Sequence, residues 1–175
     1  MHESVMAFVK HHIKRHHVEG GHVLEVGSYN VNGSVRPYLE SLNPKSYTGV
    51  DIAKGPGVDL VYDPEEEALP VNEDFYNLVI STEMLEHAKD WVSVLGDMVR
   101  ALSVDGLLLI TARGPGFQYH NPPDYWRFTP EDITRAMVGW YGLNTLYCGP
   151  DPQAPGVFYL GAKCGLFQVA KAPKS

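Results

Sequence analysis

His22-Val23-Leu24-Glu25-Val26-Gly27-Ser28-Tyr29-Asn30-Val31-Asn32-Gly33 is the stretch on which the reading of this chain turns. A short apolar run ends in an acidic residue and a glycine turn, and a helix opens at Gly33-Ser34. Further on, Val50-Asp51 closes a second apolar run with a second carboxylate. In an open α/β sheet, ligands bind beyond the carboxyl ends of the strands. A glycine turn there lets the backbone come close, and an acid after the next strand accepts from ribose hydroxyls. Glu25 and Asp51 therefore suggest a nucleoside cofactor site, with an ordinary strand–turn–helix carrying a charged strand end as the plain alternative.

A dinucleotide would need G-x-G-x-x-G, because its pyrophosphate lies directly on backbone N–H groups at the helix start. This loop has only Gly27 and Gly33, with Tyr29 where the second glycine belongs. S-adenosylmethionine carries no phosphate but has a sulphonium and an ammonium cation. A carboxylate just before the turn attracts those charges, whereas it would repel a pyrophosphate.

Working outward, apolar periodicity predicts an N-terminal helix over 4–17, stopped by Gly20-Gly21. Strands are expected over 23–26, 47–52, 58–62, 78–81 and 107–111, with a helix between Gly33-Ser34 and Asn43-Pro44 and another over 84–102. After a helix over 130–140, strand-like segments 143–148 and 157–164 flank a Pro/Gly-rich turn and read as a hairpin. The expectation is a Rossmann-like α/β fold: a seven-stranded, mostly parallel sheet with one antiparallel edge strand and helices on both faces. One domain spans 1–175, with 1–20 as its N-terminal helical segment. The long aromatic loop 113–129 directly follows a central strand and reads as a wall of a substrate pocket.

Composition excludes some classes. The formal charge of −7 disfavours any sequence-independent hold on a long nucleic acid. No apolar run approaches membrane length and no signal-peptide core is present, so a cytoplasmic location is expected. Cys148 and Cys164 lack metal or redox spacing and read as free buried thiols. In the basic run 10–17, His12 and His16 stand four residues apart, a spacing that suits either a metal or an ordinary solvated helix face.

Five motifs in order, Leu24-Glu25-Val26-Gly27, Gly49-Val50-Asp51, Val61-Tyr62-Asp63, Glu83-Met84-Leu85-Glu86-His87 and Arg100-Ala101-Leu102 before Asp105-Gly106-Leu107-Leu108, resemble the class I S-adenosylmethionine-dependent methyltransferases, specifically their small single-domain group. The run Tyr125-Trp126-Arg127-Phe128-Thr129-Pro130-Glu131 looks like the same group's junction between substrate loop and helix. The resemblance implies that Glu25 holds the methionine ammonium, that Gly27 and Ser28 meet its carboxylate portion, and that Asp51 accepts both ribose hydroxyls. Asp63 would accept from the adenine amino group. Ile52 belongs to the cofactor set, and Thr82, Glu83 and Met84 would lie beside the transferred methyl. Tyr29-Asn30-Val31 departs from the family, which has a central glycine there.

Methyl transfer requires a nucleophile aligned with the methyl carbon and, for a hydroxyl or protonated amine, removal of a proton. His87 after the fourth strand and His120 in the long loop are the candidate bases. Each has a plain alternative, helix packing for His87 and a surface position for His120. Tyr119, Tyr125, Trp126 and Arg127 are candidates for acceptor binding, through aromatic faces and a guanidinium. Glu83, Glu86 and His87 at i, i+3 and i+4 would share a face of a helix, and His120 would complete a divalent metal site. That set resembles the metal arrangement of RNA-end 2′-O-methyltransferases, but the same pattern occurs in metal-free members of the fold, and the metal is the less favoured reading. Asn121-Pro122-Pro123-Asp124 is similar to the turn of DNA amino-methyltransferases, but it follows the wrong strand and has Asp124 where an aromatic belongs.

The leading expectation is an enzyme that moves a methyl group from S-adenosylmethionine, giving S-adenosylhomocysteine, to an oxygen or nitrogen of a small or terminal acceptor. The alternatives are a non-catalytic S-adenosylmethionine-binding module and a metal-dependent RNA-end 2′-O-methyltransferase. A small-molecule acceptor is the expected partner, with no membrane and with the chain a monomer or homodimer.

Overall fold

The computed structural model describes residues 2–65, 67–119 and 123–164. The strands β1 (His22–Val26), β2 (Ser46–Asp51), β3 (Leu60–Val61), β4 (Tyr76–Thr82), β5 (Leu102–Arg113), β6 (Asn144–Pro150) and β7 (Gly156–Ala162) form one seven-stranded sheet in the order β3-β2-β1-β4-β5-β7-β6. β1 to β5 pair in parallel, and β7 runs antiparallel to both of its neighbours. The antiparallel strand thus stands one place in from the end, and its hairpin partner β6 forms the edge.

Side chains alternate across the strands, so each strand feeds two cores. Val23, Leu78, Ile80, Leu109, Phe158 and Leu160 point to one face and pack with α1 (Glu3–His12), α2 (Arg15–Val18) and α3 (Arg36–Glu40). Leu24, Val79, Leu108, Ile110, Val157 and Tyr159 point to the other and pack with α4 (Trp91–Ala101) and α5 (Pro130–Thr134). Helices therefore cover both faces. α5 continues as a π-helix over Arg135–Trp140.

Two of the expected helices are broken. The 4–17 segment splits at Ile13, whose backbone is extended. The kink lets Ile13 and Val18 both be buried, and the Ile13 carbonyl accepts from Tyr38 Oη at 2.7 Å. The first helix packs on the sheet through Val5, Phe8 and Val9, with Phe8 against Phe158. The break also removes the helical spacing of His12 and His16, and His12 instead packs its ring on Phe8 and Tyr147. The 84–102 segment begins as a short 3-10 turn, Leu85–His87. α4 then starts afresh at Asp90, whose side chain accepts from the Ser93 N–H. Both cysteines are free. Cys148 is half-buried, but Cys164 is exposed rather than buried because it lies just past the end of β7. Among the described residues, no helix is long and apolar enough to cross a membrane.

Ile80 is fully buried at the centre of the sheet, whereas Leu146 on the edge strand is 52% exposed. Ile80→Ala is expected to lower stability by roughly 2–5 kcal/mol and Leu146→Ala by less than about 0.5 kcal/mol, read from the midpoints of urea denaturation.

Candidate active site

The parallel register sets the ends of β1, β2 and β4 side by side. Glu25 lies opposite Gly49 on β2 and Ile80 on β4. Beyond these ends opens a cavity of about 1180 Å³. On the β1–β2–β3 side it is bordered by Glu25, Gly27, Ser28, Asp51, Ile52 and Asp63, and on the β4–β5 side by Thr82, Glu83, Met84, Glu86, His87 and Arg113. All nine residues expected to hold the cofactor thus border one cavity.

Glu25 is buried, and Tyr47 Oη donates to its Oε2 at 2.7 Å. Burial pushes its carboxyl up to about 7, against the Tyr47 hydrogen bond and the Arg36 charge, which act to lower it. A carboxyl poised this way favours a cation placed against it. Gly27 has φ +83, and a Cβ on it would overlap the Met84 side chain at 2.3 Å, so only glycine serves at this turn. The Gly27 and Ser28 N–H groups donate to the Val50 carbonyl, tying the β1 turn to the end of β2. Asp51 accepts the Tyr29 N–H on Oδ2 at 3.0 Å and the Ala53 N–H on Oδ1 at 3.2 Å, which holds the carboxylate on the cavity lip. The departure at Tyr29 is absorbed by Gly55, where a Cβ would lie 2.2 Å from the Tyr29 ring. The phenol rests on that bare α-carbon, and only the backbone N–H of Tyr29 turns to Asp51.

On the other side, Glu83 takes a left-handed conformation, φ 53, and its N–H donates to the Thr111 carbonyl at 2.8 Å. That turn sends its carboxylate to Arg113, which also lies 3.6 Å from Asp151 and stacks over the Phe117 ring. Glu86 is buried. Burial raises its carboxyl to about 7. The Glu86 carbonyl accepts the Tyr125 and Trp126 N–H groups. His87 Nδ1 is 2.8 Å from Asp124 Oδ1 and 3.3 Å from the Pro123 carbonyl.

Glu83, Glu86 and His87 therefore do not share a helix face, and among the described residues no group of three or more His, Cys, Asp or Glu stands at metal-ligand spacing. His120 lies outside the described residues. The four expected acceptor contacts fare unequally. Tyr125 borders the cavity. Trp126 donates its Nε1–H to the Lys89 carbonyl at 3.2 Å and meets Trp91 edge-on. Arg127 is buried in the loop, bonded to Asp124 at 2.6 Å and to the Phe117, Gln118 and Trp126 carbonyls, with Tyr119 stacked on it at 3.8 Å. Its guanidinium organises the loop instead of facing an acceptor.

Arg113, Asp151 and His2 went unread in the sequence, and Asp124 was read only as a departure from the DNA amino-methyltransferase turn. His2, from the start of the first helix, borders the cavity and meets Phe117 edge-on at 6.1 Å. The one available signal was Arg113, a charge closing an apolar strand.

A model of the methyltransferase domain matches residues 2–140, and the chain belongs to that family. No curated protein matches it significantly. Among solved structures, it is similar to an S-adenosylmethionine-dependent methyltransferase from Mesorhizobium loti, at 13% identity over 91% of this chain and 98% of that one, with TM-score 0.70. It is also similar to the 1,6-didemethyltoxoflavin-N1-methyltransferase of Burkholderia thailandensis with bound 1,6-didemethyltoxoflavin and S-adenosylhomocysteine, at 14% identity over 93% and 77%, TM-score 0.70. A third likeness is to a Haloferax volcanii methyltransferase in complex with the Trm112 activator, at 14% identity over 94% and 95%, TM-score 0.66. The protein is thus a class I S-adenosylmethionine-dependent methyltransferase. The site fits that cofactor: a buried carboxyl seeking a cation, a turn that tolerates only glycine, and a carboxylate on the lip.

Glu25 and Glu86 make the folded protein hold protons that the unfolded chain releases above its ordinary carboxyl value of 4.5. Stability without cofactor is therefore expected to be highest near pH 5 and to fall as pH rises to about 7, by on the order of 1–3 kcal/mol per carboxyl. Urea midpoints from pH 5 to pH 8 check this, and Glu25→Gln should flatten the curve in part.

Proposed function

We propose that the enzyme methylates an oxygen or nitrogen of a small or terminal acceptor, with His87 as the base that takes the acceptor's proton. The observation that carries this reading is that His87 borders the same cavity as Glu25, Gly27 and Asp51. S-adenosylmethionine supplies an activated methyl group whose leaving group is already in place. The protein's share is then to seat the cofactor, align the acceptor and remove a proton. Glu25 offers its charge to the ammonium, Asp51 its carboxylate to the ribose, and Asp63 an acceptor to the adenine amino group. Ile52 borders that end, while Thr82, Glu83 and Met84 border the end that meets the acceptor. Tyr125 adds an aromatic wall there. The small-molecule N-methyltransferase among the similar structures supports an acceptor of this size.

Calorimetric titration with S-adenosylmethionine is expected to show binding that Asp51→Ala abolishes. Because the Glu25 carboxyl is neutral below about 7, affinity should rise from pH 6 to pH 8 by up to about tenfold, and Glu25→Gln should remove most of that dependence. A chelator should leave the affinity unchanged, and its loss would bring the metal back. No binding by the wild type would end this reading.

With an acceptor found by screening for methyl transfer from labelled cofactor, His87→Ala is expected to slow turnover by about 10²- to 10⁴-fold while cofactor affinity is kept. Turnover within a few-fold of wild type would remove His87 from the chemistry.

A further inference from the structure

His87 Nδ1 is hydrogen-bonded to the Pro123 carbonyl at 3.3 Å and lies at ion-pair distance, 2.8 Å, from Asp124 Oδ1. A carbonyl oxygen only accepts, and an ionised carboxylate likewise only accepts. Nδ1 must therefore carry a proton. In the neutral ring that leaves Nε2, on the opposite edge, with its lone pair and no hydrogen-bond partner among the described residues. Asp124 is equally constrained. Its side chain is 2% exposed, and Arg127 Nη2 donates to its Oδ2 at 2.6 Å. Arg127 is in turn fixed by the Phe117, Gln118 and Trp126 carbonyls.

We propose that Asp124, held by Arg127, is a positioning residue that locks His87 in its Nδ1–H form and so presents a basic Nε2 to the acceptor. This deepens the function proposed above and rests on it. In the reaction, the acceptor's lone pair forms the new bond to the methyl carbon and the sulphonium sulfur keeps the electrons of the bond that breaks. The acceptor's proton passes to His87 Nε2 and then to water. Asp124 offsets the positive charge the ring carries in between, without taking the proton itself.

The test is the tautomer of His87, read by ¹⁵N–¹H correlation of ring-labelled protein at alkaline pH and without any ligand. Wild type is expected as Nδ1–H. In Asp124→Asn, Arg127 keeps the amide oxygen, so the amide NH₂ turns to His87 and donates to Nδ1. The ring should then switch to Nε2–H, as happens when the aspartate of a serine-protease triad becomes asparagine. A wild-type ring that is Nε2–H, or an Asp124→Asn ring that stays Nδ1–H, overturns the proposal. Should that variant fail to fold, Asp124→Ala takes its place: the ring is expected to lose its fixed Nδ1–H form, and a ring that keeps it on the Pro123 carbonyl alone overturns the proposal. Failure of the underlying function would show separately, as wild-type protein that does not bind S-adenosylmethionine.

Discussion

The central strands are buried on both faces, and this constraint shapes everything beyond them. Val23 and Leu24, Leu78 and Val79, Leu108 and Leu109 are committed alternately to the two cores, which leaves no sheet surface on which polar groups can gather. Polar side chains can collect only where strands end, and parallel pairing makes the strands end together. Glu25, Asp51 and Thr82 come from three separate segments, yet register alone brings them to one rim. The cost falls on Glu25, which sits inside the rim rather than on it. Tyr47 answers one of its oxygens, and the raised carboxyl value is what remains of the burial penalty.

Glu86, a second buried acid, joins the rim to the loop that walls it through its backbone carbonyl. The Glu86 carbonyl accepts the Tyr125 and Trp126 N–H groups across the loop, and the Arg113 carbonyl at the end of β5 accepts the Phe128 N–H. Through these contacts the 3-10 turn, the end of β5 and the loop are joined into one body. Together with Arg127, these contacts bring Asp124 to within 2.8 Å of His87. The motif at Glu83–His87 is thus better understood as a structural knot that exposes one imidazole than as a helix face carrying three ligands.

What was legible in the sequence follows from range. The strand–acid–glycine unit at Glu25 and Gly27, and Asp51 closing β2, are local patterns, and local geometry realises them. The helix expected over 84–102 failed because apolar spacing does not register a left-handed Glu83 or a cap at Asp90, both set by contacts with Thr111 and Ser93. The first helix broke at Ile13 for a similar reason, since burial of both Ile13 and Val18 wins over continuity. Arg113 with Asp151, and Arg127 with Asp124, were illegible because a charge pair leaves no periodic trace. Arg127 in particular sits in a motif that looks made for substrate, while its fork is filled by its own loop.

That filling bears on which acceptors the cavity can accept. Arg113 is answered by Glu83 and Asp151, Arg127 by Asp124 and three carbonyls, and Lys89 by Glu65. An anionic acceptor would have to win a guanidinium away from a carboxylate already paired in a largely buried setting, where removing one partner strands the other charge at a cost of several kcal/mol. The cavity is also lined by Glu25, Asp51, Asp63 and Glu86. Its field therefore draws in the sulphonium and ammonium of the cofactor and opposes a phosphate or a polyanionic chain. The chain's net charge of −7 acts in the same sense on the cofactor's cations.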